Sequence, residues 1–444
     1  MDWIWTGVHR IVATPTLIVG AREDALTRWG WALRRASSVD DLRALARRRL
    51  PQVVFDSIDG GAGDETTLRA NRSAFEAVML RPRQANPPAS IDTSIELFGD
   101  RLLSPILLAP CGSTRVVYPD GERVVAREAA RAGVGYVVPH LGGTASEDVA
   151  AVSDGVLWYQ VYKYGGRDVL EPALKRAWDA GFRVLVVTID NTRALLERDV
   201  RNGLDVLLDH DWIEGAPYLP QMLARPGWVL RFLSEGGRRA VPNARLPDGR
   251  SMNASDIATL GKQSTSYFNW DDFGWLREAW PGSIVVKGVL TAADAELAVT
   301  CGAQGIIVSN HGGRGLDGVA PSLRALPEIV DAVGDAAVVM LDGGVRRGTD
   351  VLKALALGAR AVLIGRPYLY GLASGPAGVA RLLTLLQEDL TRSLAGLGCA
   401  SLDELGSDFV QSPAEWRMPR QPKSDSAVRL AEPSPEGLQR RARI

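Results

Sequence analysis

Residues 305–318 read Gly-Ile-Ile-Val-Ser-Asn-His-Gly-Gly-Arg-Gly-Leu-Asp-Gly. An apolar run of strand length stops at Ser309 and Asn310, and an imidazole, His311, and a guanidinium, Arg314, follow at once, separated only by glycines. A buried strand is therefore expected to deliver a base and an anion binder to its C-terminal mouth. Glycines tolerate unusual backbone angles and leave room for a ligand to come close. Histidine exchanges protons near neutral pH, and arginine presents a planar fork that matches a carboxylate.

The same beat runs outward from this stretch. Short β-branched runs alternate with amphipathic helical stretches, and strands are expected at Pro105–Pro110, Tyr136–Leu141, Trp158–Tyr162, Val184–Asp190, Ile284–Gly288, Gly305–Asn310, Val338–Gly343 and Ala361–Gly365. Such alternation is the mark of successive βα units and a parallel sheet. Eight of them predict an α/β protein closed into a (β/α)8 TIM barrel, with polar residues at the strand C-termini lining one face. A doubly wound open sheet is the alternative, and it lacks a G-x-G-x-x-G turn after an early strand.

Each run ends in residues capable of chemistry: Gln160 and Tyr162 after the third strand, Thr188 and Asp190 after the fourth, Lys287 after the fifth, and Ser309, His311 and Arg314 after the sixth. The seventh ends in Asp342-Gly343-Gly344-Val345-Arg346 and the eighth in Gly365-Arg366. On a barrel the last two loops commonly hold a phosphate on glycine backbone N–H groups, with Arg346 and Arg366 here as counter-charge. Asp190 is placed to orient His311 and stabilise its imidazolium, the base-plus-orienter arrangement of acid/base sites, or else caps the next segment. Lys287 suits an anion that develops during reaction; a lysine whose stem packs on the rim is the alternative.

Lys+Arg 51 against Asp+Glu 52 gives a formal net charge of -1, which supplies no global field for nucleic acid or an anionic membrane. The cysteines Cys111, Cys301 and Cys399 are far apart, so neither a disulfide framework nor a metal site is expected, and a cytoplasmic setting suits them. Residues 1–37 are expected to form an N-terminal arm, with a helix capped by Ser38 or Asp40 opening an entry segment to a single unit over 38–412. Within it the beat breaks, and residues 203–271 are expected to be a lid over the rim after the fourth strand. A membrane-surface patch there is disfavoured because no clean amphipathic period is visible. Residues 413–444 are polar and expected to be a mobile tail.

Ser309-Asn-His-Gly-Gly-Arg, Val286-Lys-Gly-Val, Leu341-Asp-Gly-Gly-Val-Arg-Arg-Gly-Thr-Asp and Ile364-Gly-Arg-Pro together resemble the FMN-dependent 2-hydroxy-acid oxidase and dehydrogenase family. The resemblance implies an FMN cofactor and His311 as active-site base with Asp190. It implies that Arg314 and Tyr162 bind the substrate's carboxylate or reacting oxygen, and that Lys287 sits against the flavin's N1/C2 carbonyl edge. Pro110, Cys111, Gly112, Gln160, Thr188 and Ser309 would line the isoalloxazine, and Asp342 to Arg346 with Gly365 and Arg366 would bind ribityl and phosphate. It also implies a small-molecule substrate, an electron acceptor that is oxygen, a quinone or a redox protein, and a homo-oligomer, a tetramer.

Three departures bear on the substrate. The family usually has Tyr-Tyr after the aspartate of the entry segment, where Asp56 is followed by Ser57 and Ile58. After Asp190 the chain is one residue shorter and sets Leu196 where an arginine belongs, and Pro139-His-Leu141 replaces a Ser-Ser-aromatic pattern. Losing a charged donor costs an anion on the order of 1.5 to 3 kcal/mol. Ser57, Leu141 and Leu196 therefore predict a pocket for a 2-hydroxy acid larger or less polar than lactate. The alternatives are an amine or amino-acid-like group, as in the pre-mycofactocin synthase branch, and a flavin-binding module without catalysis.

Overall fold

The computed structural model describes residues 28–112, 114–190, 197–198, 216–234, 241–246, 248–261 and 267–416. Eight parallel strands form its centre: β1 (Ile106–Leu108), β2 (Gly135–Pro139), β3 (Leu157–Val161), β4 (Val184–Thr188), β5 (Ser283–Val289), β6 (Gly305–Val308), β7 (Val338–Asp342) and β8 (Ala361–Ile364). All eight expected strands are present. They pair in chain order and β8 returns to β1, Val362 opposite Ile106 and Ile364 opposite Leu108, so the sheet closes on itself. Closure explains the near-continuous Val, Ile and Leu of these runs, since one face fills the barrel and the other meets helices. In β2 and β4 every residue is buried.

Helices α1 (Arg28–Arg35), α2 (Val39–Arg49), α3 (Gln52–Asp59) and α4 (Thr66–Ala77) precede the barrel. The expected cap is in place: the Ser38 hydroxyl accepts the Asp41 backbone N–H at the start of α2. Further on come α5 (Gly121–Ala132), α6 (Arg167–Asp179), α7 (Leu219–Leu223), α8 (Pro226–Ser234), α9 (Asp272–Ala279), α10 (Ala292–Thr300), α11 (Ser322–Val333), α12 (Gly348–Ala356), α13 (Arg366–Leu372) and α14 (Pro376–Gly396). A hairpin that the sequence reading missed, Ile95–Leu97 with Asp100–Leu102, turns through Phe98 (φ 51°) and Gly99 (φ 87°). A Cβ on Gly305 would sit 2.7 Å from the Phe98 ring. Because Gly305 opens β6, the hairpin stoppers the N-terminal end of the barrel and leaves the other end for chemistry.

The connection after β4 is more than a loop. Its described part holds α7, α8 and an antiparallel hairpin, Val241–Arg245 with Ser251–Met252. Val241, Ala244 and Met252 of the hairpin form one apolar cluster with Tyr164 and Val169, against which Leu141 and Tyr162 pack. Asn243 accepts the Ser146 N–H at 2.7 Å and donates to the Thr144 carbonyl at 3.0 Å. The Trp228 indole of α8 donates to the Val116 carbonyl at 2.8 Å, and Gln221 accepts the Val53 N–H at 2.7 Å. The expected lid is thus anchored by polar contacts at both its helices and its hairpin.

Among the described residues no helix is long and apolar enough to cross a membrane. Contacts divide the chain into two units, Met1–Gln411 and Ser412–Ile444, and the second contributes one described 3-10 turn, Ala414–Trp416. Residues 1–27 of the expected arm, 417–444 of the expected tail, and Leu196 lie outside the described residues.

Candidate active site

β4, β5 and β6 bring three of the expected residues to one point. His311 stands just beyond β6, where its Nδ1 lies 2.9 Å from Asp190 Oδ1 beyond β4. Its Nε2 lies 3.2 Å from the Tyr162 hydroxyl beyond β3. An Asp190 carboxylate must accept from Nδ1–H, which leaves the Nε2 lone pair facing Tyr162 and the barrel mouth. Burial alone would raise the Asp190 pKa, but His311 and Lys287 more than offset it and hold the carboxyl below its ordinary value. The His311 backbone is left-handed at φ 56°, an uncommon state for a residue with a Cβ, and its N–H is held by Ser309 Oγ at 3.0 Å.

Lys287, from within β5, is buried, with its ammonium 2.9 Å from Ser309 Oγ and 2.9 Å from Asp342 Oδ2. Burial disfavours the ammonium, yet Asp342 and Asp190 outweigh it and the pKa lies above the ordinary value. A fixed positive charge therefore sits between β4 and β7. Gln160 donates to Thr188 Oγ1 at 3.0 Å and accepts the His140 N–H at 3.2 Å, so its amide is held on both sides. Cys111 beyond β1 is half-buried beside Tyr368, and burial pushes its thiol pKa up. Gly365 at the end of β8 meets it: a Cβ there would lie 3.5 Å from its sulfur. Gly112 lies against Leu141, whose carbonyl a Cβ would approach to 3.3 Å.

Where phosphate is expected, at the ends of β7 and β8, arginines gather. Arg366 is half-buried with its Nε out of solvent, and its pKa is brought down to about 10 by burial and by the like charges of Arg314 and Arg346. Its Nε has no hydrogen-bond partner among the described residues, and its other nitrogens donate to the Gly312 and Gly60 carbonyls. Arg346 is likewise pushed down by burial. Half-buried like charges drawn together in this way suit an anion. Beside them Gly343 (φ 93°) and Gly344 (φ 91°) run in succession, angles that exclude most side chains and leave the backbone bare. These residues fit the phosphate end of FMN.

Arg314 donates to the Ser57 carbonyl at 2.7 Å and to the Gly60 carbonyl at 3.2 Å, which ties it to α3. Ser57 meets it through that carbonyl; its hydroxyl is spent on Val54 of its own helix, at 2.9 Å. Sequence reasoning missed Asn71 altogether. From α4 it exchanges two 2.8 Å hydrogen bonds with Asn310, and its Oδ1 also accepts the Ser322 N–H at 3.3 Å. Asp317 works on the same helix by accepting the Thr66 and Thr67 N–H groups at its start. The last residues of the 305–318 stretch therefore clamp the entry segment over the barrel mouth. For Asn71 itself, a lone mid-helix asparagine, the sequence carried no signal.

A family model described as FMN-dependent dehydrogenase matches residues 46–412. L-lactate oxidase of Nostoc sp. is 39% identical over 372 residues, covering 82% of this chain and 95% of that protein. (S)-mandelate dehydrogenase of Pseudomonas putida is 35% identical over 381 residues, covering 84% of this chain and 94% of that one. The crystal structure of the monotopic membrane protein (S)-mandelate dehydrogenase superposes with a TM-score of 0.80 at 35% identity, covering 85% of this chain and 100% of that chain.

Proposed function

The chain belongs to the FMN-dependent dehydrogenase family, and on that premise we propose that it oxidises the CH–OH group of a 2-hydroxy acid, larger and less polar than lactate, to the 2-oxo acid. The observation that carries this is the line from Asp190 through His311 to Tyr162, at 2.9 Å and 3.2 Å. FMN, when bound, supplies the two-electron acceptor. His311 Nε2 takes the substrate's proton, and Asp190 holds the resulting imidazolium in place. Tyr162 orients the reacting oxygen, and Arg314, fixed by two carbonyls of the entry segment, binds the carboxylate. Lys287 and Arg346 with Arg366 hold the two ends of the cofactor.

The preference for bulk rests on what borders Tyr162. Leu141 and Tyr162 pack against a cluster that includes Tyr164, Val241 and Met252, and the Ser57 hydroxyl is turned to its own helix. An apolar wall favours an aryl or branched substituent over a methyl. Anaerobic bleaching of the flavin by a graded set of acids tests this. Mandelate or 2-hydroxyisocaproate should outpace lactate in kcat/KM by at least ~10-fold, about the worth of burying two methylenes. Bleaching by 2-amino acids, with none by any 2-hydroxy acid, would replace the reading with amine oxidation.

A second reading, contact with a membrane surface, has its own observation. Leu219, Leu223, Leu230 and Leu233 on α7 and α8 are exposed, Leu223 at 77%, and a related structure is of a monotopic membrane protein. Contiguous exposed aliphatics on an amphipathic segment are what an interfacial helix needs.

A further inference from the structure

Four guanidiniums converge on the turn that ends α3, residues 57–61. Arg314 donates to the Ser57 and Gly60 carbonyls, and Arg366 shares the second of these at 2.8 Å. Carbonyls at a helix C-terminus lack partners within the helix and stand at the negative end of its dipole, so they suit cations. Asp59, the last residue of α3, is buried, and its carboxylate takes the other two guanidiniums and a phenol. Arg43 of α2 donates through Nε and Nη2 at 2.6 and 2.7 Å, Arg198 at 2.9 Å and the Tyr370 hydroxyl at 2.8 Å, so each oxygen accepts twice. Burial alone would raise the Asp59 pKa, but these donors more than offset it and bring it down to about 2. A second Arg198 nitrogen reaches Glu65 at 2.6 Å, and the other Glu65 oxygen accepts the Gly61 N–H at 3.0 Å. The turn is thus held on both sides.

We propose that Asp59 is a positioning residue that sets Arg314 and Arg366 together, so that the hold on the substrate's carboxylate and the hold on the cofactor's phosphate strengthen or fail as one. This rests on the reading of Arg314 as carboxylate binder and Arg366 as phosphate binder. Arg366 and Tyr370 are four residues apart on α13 and share one face of it. The bond from Tyr370 to Asp59 therefore fixes the turn of helix from which Arg366 reaches Gly60. The Asp59 charge also favours the Arg366 guanidinium directly, against burial and the like charges of Arg314 and Arg346. On Arg314 it acts through the backbone, by holding the Ser57 and Gly60 carbonyls in place. Arg198 stands eight residues beyond Asp190, so the same carboxylate ties the chain past the partner of His311 to the entry segment. Asparagine at position 59 would turn amide N–H groups towards donors that the carboxylate accepts.

The test uses the full-length, FMN-loaded protein beside Asp59→Asn, Tyr370→Phe and a control, Glu128→Gln, which discharges another buried carboxylate, paired with Arg131 on α5. Two affinities are read: FMN, from the flavin fluorescence released on dilution, and phenylacetate, a carboxylate with no CH–OH group, from the difference absorbance of the bound flavin. Asp59→Asn should weaken both by ~10-fold or more and raise KM for a 2-hydroxy acid alike, with kcat at saturation within about 3-fold of the parent. Tyr370→Phe removes a single donor and should weaken both by about 3-fold, which keeps the test decisive if the first variant does not fold. Glu128→Gln should leave both affinities unchanged. Unchanged affinities in the two variants, weakening of only one, equal weakening in the control, or a parent flavin that phenylacetate does not perturb overturns the proposal. A parent that binds phenylacetate but is bleached by no 2-hydroxy acid refutes the proposed oxidation instead, and the two affinities still decide the role of Asp59.

Discussion

His311 joins the proposed role of base to a backbone conformation that residues with a Cβ avoid. The two can be separated. His311→Ala should lower kcat by ~100-fold to ~10,000-fold, the usual worth of a general base, with FMN still bound. His311→Gly should be as inactive but melt higher than the alanine variant, because glycine adopts φ 56° without the ~1 kcal/mol penalty. Equal melting temperatures would refute the strain, and an active alanine variant would refute the base. His140, buried beyond β2, makes a pH prediction. Burial brings its pKa from 6.5 down to about 4, so between these values the unfolded chain binds the extra proton. Stability from this group is complete above pH 6.5 and is lost as pH falls towards 4, by on the order of 3 kcal/mol. Urea unfolding of His140→Asn should show a shallower acid slope; an unchanged slope would place the loss elsewhere. At this scale Lys287, Asp190 and His311 could be read as neighbours because each stands at or just beyond the end of an apolar strand, and Arg314 follows His311 after two glycines. Asn71 could not be read so, since its partner Asn310 is 239 residues away.

The clamp between α4 and the loop after β6 decides whether the barrel mouth keeps its shape. Asp317 caps α4 from across the chain, and Gly318 donates to Thr67 Oγ1 at 2.8 Å. Asp317→Ala should cost about 1 kcal/mol, a typical cap. Asn71→Ala leaves buried Asn310 groups unsatisfied and should cost about 1 to 3 kcal/mol, with weaker FMN retention. Denaturant midpoints and flavin release would measure both, and two neutral variants would mean that the clamp is idle. The barrel strands were readable because burial on both faces demands continuous β-branched runs. The Ile95–Leu102 hairpin was not, since three-residue strands are too short for a period of two to register. The connection after β4 was recognised by length alone; its leucines sit on the outer side of α8 while Trp228 is buried, so apolar residues on both faces hid the amphipathic pattern.

Over the whole molecule, the insertion gives one flank a character that the net charge of -1 conceals. Leu223→Ser with Leu230→Ser and Leu233→Ser should lower sedimentation with neutral phosphatidylcholine vesicles several-fold while leaving kcat on a soluble acid unchanged. Retained sedimentation would sink the membrane reading. The ring of strands closes only when β8 reaches β1, and Arg366 follows β8 by two residues. A nascent chain emerging from the ribosome therefore holds two open sheet edges, and lacks Arg366 of the proposed phosphate site, until almost the last of the barrel has been translated. Cofactor capture must come after synthesis of that final strand, and a premature stop before it yields a sticky, colourless fragment rather than a weaker enzyme.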